Sequence, residues 1–302
     1  MGNADGPLGP RHYVVGGTPM TARPIDPGLH LVATPIGNLG DMTLRGLETL
    51  AAADVIACED TRVTRVLLDR YGIASRPHAY HEHNEAEAGP KLLAALQSGK
   101  SVALVSDAGT PSVSDPGFRL AGQAIAAGIR VIPVPGASAV LAALIGSGLA
   151  TDTFLFGRFL PTKDQARRAR LAELAMVPAT LVFFESPQRI AASLANMADV
   201  LGGERQAVVA RELTKTFEEF RRGSLAELTA HYDEAARPKG EIVVCIAPPL
   251  PKAAMDASDI DALLTGLAAE MPASKAAAEA ARLSGRPKPE LYQRLLTLKD
   301  KA

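Results

Sequence analysis

Apolar residues recur along the chain in short uninterrupted runs, each ending in a cluster of small and polar residues. Residues 101–117, SVALVSDAGTPSVSDPG, carry the pattern most clearly: Val102, Ala103, Leu104 and Val105 are consecutive and then give way to Gly, Pro, Ser and Asp. Consecutive apolar residues are expected of a parallel strand covered on both faces. The same unit of run and loop appears at residues 29–34, 54–58 and 130–134, with a shorter extended piece at 77–80. Between these runs the spacing turns helical. Leu44, Leu47 and Leu50 predict a helix over residues 44–53 with Thr43 as its N-cap. Further helices are predicted up to about residue 71, from the 81–85 stretch to near residue 99, over 116–127 with Ser114 or Asp115 as cap, and over 139–145. Strands alternating with helices predict a doubly wound parallel sheet over residues 29–148.

Gly146, Ser147 and Gly148 mark a predicted domain boundary. Beyond it, strands at 154–159 and 180–185 flank a basic helix, and residues 206–212 and 241–247 read as two more. Their hairpin-like arrangement predicts a mixed sheet in a second α/β domain over residues 149–248. A proline cluster at 248–251 breaks the chain again. Residues 260–270, 273–285 and 289–298 then predict three helices, the punctuation of a helix-turn-helix-like unit over residues 249–302. Residues 1–28, with six glycines, five prolines and no apolar signal segment, are expected to be a disordered leader. The fold class is α/β: two α/β domains and a helical tail.

Composition narrows the function classes. The formal net charge of −1 gives no overall drive toward nucleic acid. Local charge does: residues 273–302 hold seven Lys and Arg against three acids, and residues 158–173 hold five against two, which favours a phosphate backbone. Cys58 and Cys245 lie in apolar runs without Cys or His partners, as reduced core residues of a cytosolic protein do. No apolar run approaches the roughly 20 residues of a membrane span. His81 and His83, spaced i and i+2, lack further nearby ligands for a metal and mark a helix start or a polar contact to substrate.

The candidate chemistry gathers at strand ends. Ligands of open α/β sheets sit in the crevice beyond the carboxyl ends of the strands, where Asp107 is placed to accept hydrogen bonds from hydroxyl or amino groups. Residues 35–41 match neither a dinucleotide fingerprint nor a P-loop, so phosphate cradling is not indicated. Residues 136–139 are small enough for a flat ligand to lie against main chain, or for a helix to pack close to the sheet. Glu59-Asp60-Thr61-Arg62 falls on the same edge as Asp107 if the strands are parallel. The charged loops at 185–189 and 211–215 close over the first domain's cleft or pair with each other.

Taken together, VATPIGNLGDMTLR at 32–45, ACEDTR at 57–62, SDAGTPSVSDPG at 106–117, PVPGASA at 133–139, FFESPQR at 183–189 and VARELTK at 209–215 closely resemble the ribosomal RNA small-subunit methyltransferase I family of the tetrapyrrole-methylase superfamily. The resemblance spans about residues 29–247 and continues into the C-terminal helices. It implies methyl transfer from S-adenosylmethionine to the ribose 2′-hydroxyl of a cytidine in the decoding region of small-subunit ribosomal RNA. It also implies a donor site in the cleft between two α/β domains, a homodimer, a cytoplasmic location, and as partner either the RNA or the assembled small subunit, with no metal. Mapped by motif, the donor is held by Leu39, Asp107, Val113, Ser114, Ser138 and Ala139, with main chain near Phe184 and Leu213. A ribose hydroxyl is a poor nucleophile, so Glu59, Glu185 or Glu212 could take its proton. Arg62, Arg189, Arg211 or Lys215 could hold phosphate or lower the hydroxyl's pKa. The pairs Glu185/Arg189 and Arg211/Lys215 are favoured, and the choice among them stays open. A tetrapyrrole methyltransferase and a non-catalytic RNA-binding assembly factor are the rival readings. The basic tail argues against the first, because a small macrocycle gives it nothing to bind.

Overall fold

In the computed structural model, which describes residues 11–112, 117–234, 237–249 and 256–299, order begins before residue 29. Strands β1 (His12–Val15) and β2 (Thr18–Thr21) pair antiparallel about Gly16 and Gly17, whose φ values of 57° and 84° are those of a two-residue hairpin turn. The expected disordered leader is therefore corrected for residues 11–28, while residues 1–10 lie outside the described residues. Glycine and proline content misled because the segment has no core of its own and borrows one. Tyr13, only 6% exposed, packs with Leu47, Leu50 and Leu68. The Val14 amide donates to the Tyr71 carbonyl at 2.7 Å, and Arg23 pairs with Glu48 at 2.8 Å. The Arg11 guanidinium donates to the Ala52 carbonyl and to Asp54.

The parallel sheet forms as the alternation predicts. Its strands are β3 (Gly28–Val32), β4 (Val55–Cys58), β5 (Pro77–Ala79), β6 (Ser101–Val105) and β7 (Val131–Val134). Their order is β5-β4-β6-β3-β7 and every pair is parallel. The connecting helices are α1 (Leu44–Ala52), α2 (Thr61–Arg70), α3 (Glu85–Gln97), α4 (Gly117–Ala126) and α5 (Ala139–Ser147). All five residues of β6 are buried, with one apolar cluster holding Ala103 and Val105 and another holding Val102 and Leu104. Thr43 caps α1, its hydroxyl accepting from the Gly46 amide at 3.0 Å. The proposed caps of α4, Ser114 and Asp115, lie outside the described residues.

The second sheet is mixed. Strands β8 (Phe154–Phe159), β9 (Thr180–Glu185), β10 (Gln206–Arg211), β11 (Glu219–Ser224) and β12 (Ile242–Ile246) take the order β11-β10-β12-β9-β8, and only β8 and β9 pair parallel. Helices α6 (Asp164–Leu174), α7 (Ile190–Leu201) and α8 (Leu225–Glu234) accompany it. Strand β11 escapes sequence reading because its residues, EFRRGS, have no apolar run; it is the sheet's edge. The glycines at 146 and 148 do not interrupt packing either. Helix α5 continues to Ser147 and stops at Gly148, whose φ is 79°. Its Val140, Ala143 and Leu144 share one cluster with Val182, Val208, Val243 and Cys245 of the second sheet. Arg222 clamps the helix end by donating to the carbonyls of Gly146 and Ser147. Cys58 and Cys245 are free and buried, and burial pushes the Cys245 thiol up to about 12.

By its contacts the chain divides into Met1–Pro248 and Pro249–Ala302. The second unit consists of α9 (Ala257–Glu270), α10 (Ala273–Ser284) and α11 (Lys288–Lys299). They close on their own core of Ile260, Leu264, Ala276, Ala277, Ala280, Leu291 and Leu295. Asp256 and Asp259 form a reciprocal capping box at the start of α9.

Asp54 joins the hairpin to the sheet. Its carboxylate accepts from the Ser101 amide and hydroxyl at 2.9 and 2.8 Å and from Arg11 at 3.0 Å. Burial alone would raise its pKa, but these donors outweigh burial and hold it below the usual carboxylate range. A depressed folded-state pKa contributes stability that is present above the unfolded value, near ~4, and is lost as pH falls through the folded value. Asp54→Asn is expected to cost about 1 kcal/mol at neutral pH, the carboxylate being partly screened by solvent. That difference from the parent chain should shrink as pH falls through the lowered folded-state value of the carboxyl, which denaturant unfolding at neutral and at acidic pH measures.

Candidate active site

Strand ends of both sheets converge on one cleft because the loop after β3 is stitched to the loop after β6. The Thr34 amide donates to the Gly109 carbonyl at 2.8 Å, and the Gly109 amide returns a bond to Thr34 at 3.0 Å. The Thr34 hydroxyl adds a bond to the Ser106 carbonyl at 3.1 Å. From the other side, the Asn38 amide donates to the Thr214 hydroxyl at 3.2 Å, tying the first loop to the segment after β10. Gly37 permits this approach, since a Cβ there would lie 2.5 Å from Lys215 Cγ.

Two hollows open from the cleft. The first, about 400 Å³, is lined by main chain and small residues at 108–110 and 138–139, and by Phe159, Phe184, Leu213 and residues 240–243. The second, about 340 Å³, is lined by Leu39, Val63, Thr64, Val66, Leu67, Asp107 and Lys215 among others. Ile36, Ala108 and Glu241 line both, so the hollows adjoin there. The residues assigned to the donor by resemblance thus divide: Ser138, Ala139, Phe184 and Leu213 line the first hollow, while Leu39 and Asp107 line the second. Val113 and Ser114 lie outside the described residues. The Ser138 hydroxyl also caps α5, accepting from the Leu141 amide.

Charge concentrates in the second hollow. Asp107 accepts from the Asp60 amide at 2.9 Å, and burial raises its carboxyl above the usual range. Asp60 itself is held down to about 2 by the Arg62 guanidinium at 2.6 Å. Lys215 reaches Glu212 at 2.8 Å and Glu241 at 3.0 Å. Burial opposes its charge, but the two carboxylates outweigh burial and keep its pKa above that of a free lysine, while Lys215 in turn holds Glu212 below the usual range. The segment is strained: Glu212 and Thr214 have φ values of 52° and 66°, unusual for residues with side chains.

The other catalytic candidates are placed differently. Glu185 is buried, with its carboxylate accepting from the Ser186 amide at 2.8 Å and the Ser193 hydroxyl at 2.5 Å and pairing with Arg189 at 3.4 Å. Arg189 also donates to the Leu160 carbonyl at 2.7 Å, so this pair frames the wall of the first hollow. Arg211 pairs with Glu219 at 3.2 Å and donates to the Lys239 carbonyl. Glu59 ends the β4 strand run, half-buried. His81 and His83 stack edge to face at 6.0 Å in the turn before α3. Among the described residues no group of three or more His, Cys, Asp or Glu is arranged to hold a metal, and no helix is long and apolar enough to cross a membrane.

Sequence reasoning missed Phe159, Glu241, Val63 and Val66. A register irregularity between Phe156 and Phe159, with Arg158 at φ 60°, turns Phe159 toward Phe184 at 5.5 Å. Nothing in an alternating strand announces that bulge. The Pro-Lys-Gly-Glu stretch before β12 is the signal for Glu241, a turn ending at a strand that enters the cleft.

Comparison with known proteins agrees with this geometry. Residues 28–229 match the family described as Tetrapyrrole (Corrin/Porphyrin) Methylases, and residues 254–299 match the RsmI C-terminal HTH domain. A ribosomal RNA small subunit methyltransferase I of Mesorhizobium japonicum is 66% identical over 287 residues, covering 95% of this chain and 97% of the relative. The protein of that name from Pseudomonas aeruginosa is 48% identical over 277 residues, covering 91% and 98%. Among solved structures, a cobalt precorrin-4 methyltransferase superposes with a TM-score of 0.55 at 18% identity, over 72% of this chain and 94% of that one. A uroporphyrin-III C-methyltransferase from Thermus thermophilus, complexed with S-adenosylhomocysteine, gives 0.52 at 20% identity over 72% and 96%. These two structures share the fold, whereas the high identities extend over nearly the whole length of both chains and into the helical unit. The chain belongs to the ribosomal RNA small subunit methyltransferase I family of the tetrapyrrole methylases.

Proposed function

We propose that this methyltransferase carries a methyl group from S-adenosylmethionine to the ribose 2′-hydroxyl of a cytidine in the decoding region of small-subunit ribosomal RNA. It acts in the cytoplasm as a homodimer, and its basic helical unit contacts the RNA. The observation that carries the reading is the pair of adjoining hollows of unlike character, meeting at Ile36, Ala108 and Glu241 beside a charged Lys215.

The first hollow fits the donor. Gly109 and Gly240 take φ values of 78° and 91°, and a Cβ at Gly240 would run into the Glu212 carboxylate, so backbone alone lines the cavity there. Val140, Phe184, Leu213 and Val243 supply apolar wall for an adenine face, and the polar main chain at 108–110 supplies bonds for its rim. When bound, S-adenosylmethionine supplies an electrophilic methyl carbon: its carbon–sulfur bond breaks as the oxygen–carbon bond forms, leaving a neutral thioether.

The chain's own residues position the acceptor and move its proton. Lys215, held charged, donates to the ribose oxygen and favours its deprotonation. Glu241, which lines both hollows where Glu212 lines neither, receives the hydroxyl proton. Glu185 and Arg189 fix the cavity wall, and Arg211 fixes the 211–215 loop through Glu219. In-line geometry between the hollows supplies much of the acceleration by positioning.

The primary test is transfer of labelled methyl groups to small subunits lacking the modification, with ribose-methylation mapping. Label on one decoding-site cytidine ribose is expected, and measurable donor binding without transfer would sink the proposal in favour of a tetrapyrrole or non-catalytic role. A chain ending at Pro248 should keep donor affinity and lose most transfer to subunits. Lys215→Met is expected to lower kcat by about 10²-fold or more, the size of one general acid–base or electrostatic contribution, with donor affinity changed little. Gly240→Ala should instead abolish donor binding, read by calorimetry.

A further inference from the structure

The second hollow has a lining that a nucleic-acid backbone would avoid. Its ionisable groups are the carboxylates of Asp107 and Glu241 and the ammonium of Lys215, and that ammonium is already shared between Glu241 and Glu212. Counting these four groups, three carboxylates face one cation, so the local charge repels phosphate. The remaining surface is apolar. Leu39 and Leu67 form part of it, and Val63 and Val66 on α2 stand 44% and 61% exposed on its wall. Burial of such groups is favourable only against another apolar or flat aromatic face.

We propose that this hollow receives the base of the acceptor nucleotide, extruded from the RNA stack, with Val63 and Val66 as the ledge on which the base lies. This inference rests on the proposed ribosomal RNA methyl transfer and adds how the acceptor is held. A 2′-hydroxyl lies on the open minor-groove side of an RNA helix, and no hollow is needed to reach it there; a hollow of about 340 Å³ is at the small end of ligand pockets and suits one nucleoside. A neutral base enters where the charged backbone cannot. The sugar then comes to the seam at Ile36, Ala108 and Glu241, where the donor cavity opens. The Asp107 carboxylate, deeper in the hollow than the seam, accepts from an exocyclic amino group such as cytosine N4, and repels the carbonyl that uracil carries in its place. The charged backbone stays outside the hollow. Extrusion costs a few kcal/mol of unstacking, least for a base already unpaired, so the acceptor is expected in a single-stranded or distorted segment.

The test uses the full-length enzyme and unmethylated small subunits. Both native cysteines are buried, so Val66→Cys offers a uniquely accessible thiol for a photo-crosslinking maleimide. With S-adenosylhomocysteine present, irradiation is expected to give a reverse-transcription stop at the nucleotide that the unsubstituted enzyme methylates. In parallel, the double variant Val63→Ser, Val66→Ser should lower kcat/KM for subunits about tenfold or more, as loss of apolar contacts in a pocket does. Its donor dissociation constant should stay within about twofold, which a general folding defect would not allow. Full kcat/KM in the double variant, or crosslinks confined to other nucleotides, overturns the inference while leaving the proposed reaction standing. No methyl transfer by the unsubstituted enzyme overturns both.

Discussion

The reciprocal main-chain bonds between Thr34 and Gly109 are the constraint on which the cleft depends. They fasten two loops that leave neighbouring parallel strands, β3 and β6, at the same edge of the sheet. Without them, residues 35–41 and 106–110 would each be a surface turn free to settle separately. With them, Ile36 and Ala108 become a common wall between two hollows. Ile36 also enters the cluster that α5 shares with the second sheet, so the stitched loops are held from the far side by packing. A single buried seam thus sets the relation of the two hollows, and the methyl transfer proposed between them tolerates little displacement there.

The strain after β10 belongs to the same arrangement. Left-handed φ at Glu212 and Thr214 costs of order 1–3 kcal/mol per residue, and the local bonds show what offsets it. Glu212 accepts from Lys215 and from the Glu241 amide, the Thr214 amide donates to Glu218, and the Thr214 hydroxyl accepts from Asn38. Relaxing either residue would withdraw Lys215 from Glu241 and loosen the bond to the first loop. The strained turn is the means by which the second sheet delivers one ammonium to a cleft built on the first.

What the sequence made legible follows from how each element is buried. β6, β9 and β12 are covered on both faces and read as uninterrupted apolar runs, and Thr43 reads as a cap because capping is local chemistry. The β1–β2 hairpin was lost because its stability lies in contacts of Tyr13 with residues more than thirty positions away. The division near residue 148 suffered similarly: glycines do end α5, but its apolar face packs on the second sheet, and no local signal reports which sheet a helix will cover. Among the site residues, Asp107 and Lys215 were visible as polar groups at strand ends. Glu185 and Glu241 both line the first hollow, but the Ser186 and Ser193 donors that occupy the Glu185 carboxylate are known only once α7 is folded against β9.

The contrast between the two hollows also bears on how one fold serves unlike acceptors. The first hollow, proposed for the donor, draws its lining largely from strand ends and the turns that follow them, including Phe159, Phe184 and Val243. The second hollow, proposed for the acceptor, is lined by side chains on α2 and on two loops, Val63, Val66, Asp107 and Lys215, which can change without disturbing either sheet. The helical unit beyond Pro248, with its own core, answers the part of recognition that a hollow of nucleoside size cannot. A pocket for one base of the proposed kind would distinguish cytosine from uracil, but every other unpaired cytidine in the RNA would satisfy it equally. Under the proposed function, selecting one site therefore demands contacts outside the cleft, and the excess of cations in the sequence of residues 273–302 suits a phosphate backbone.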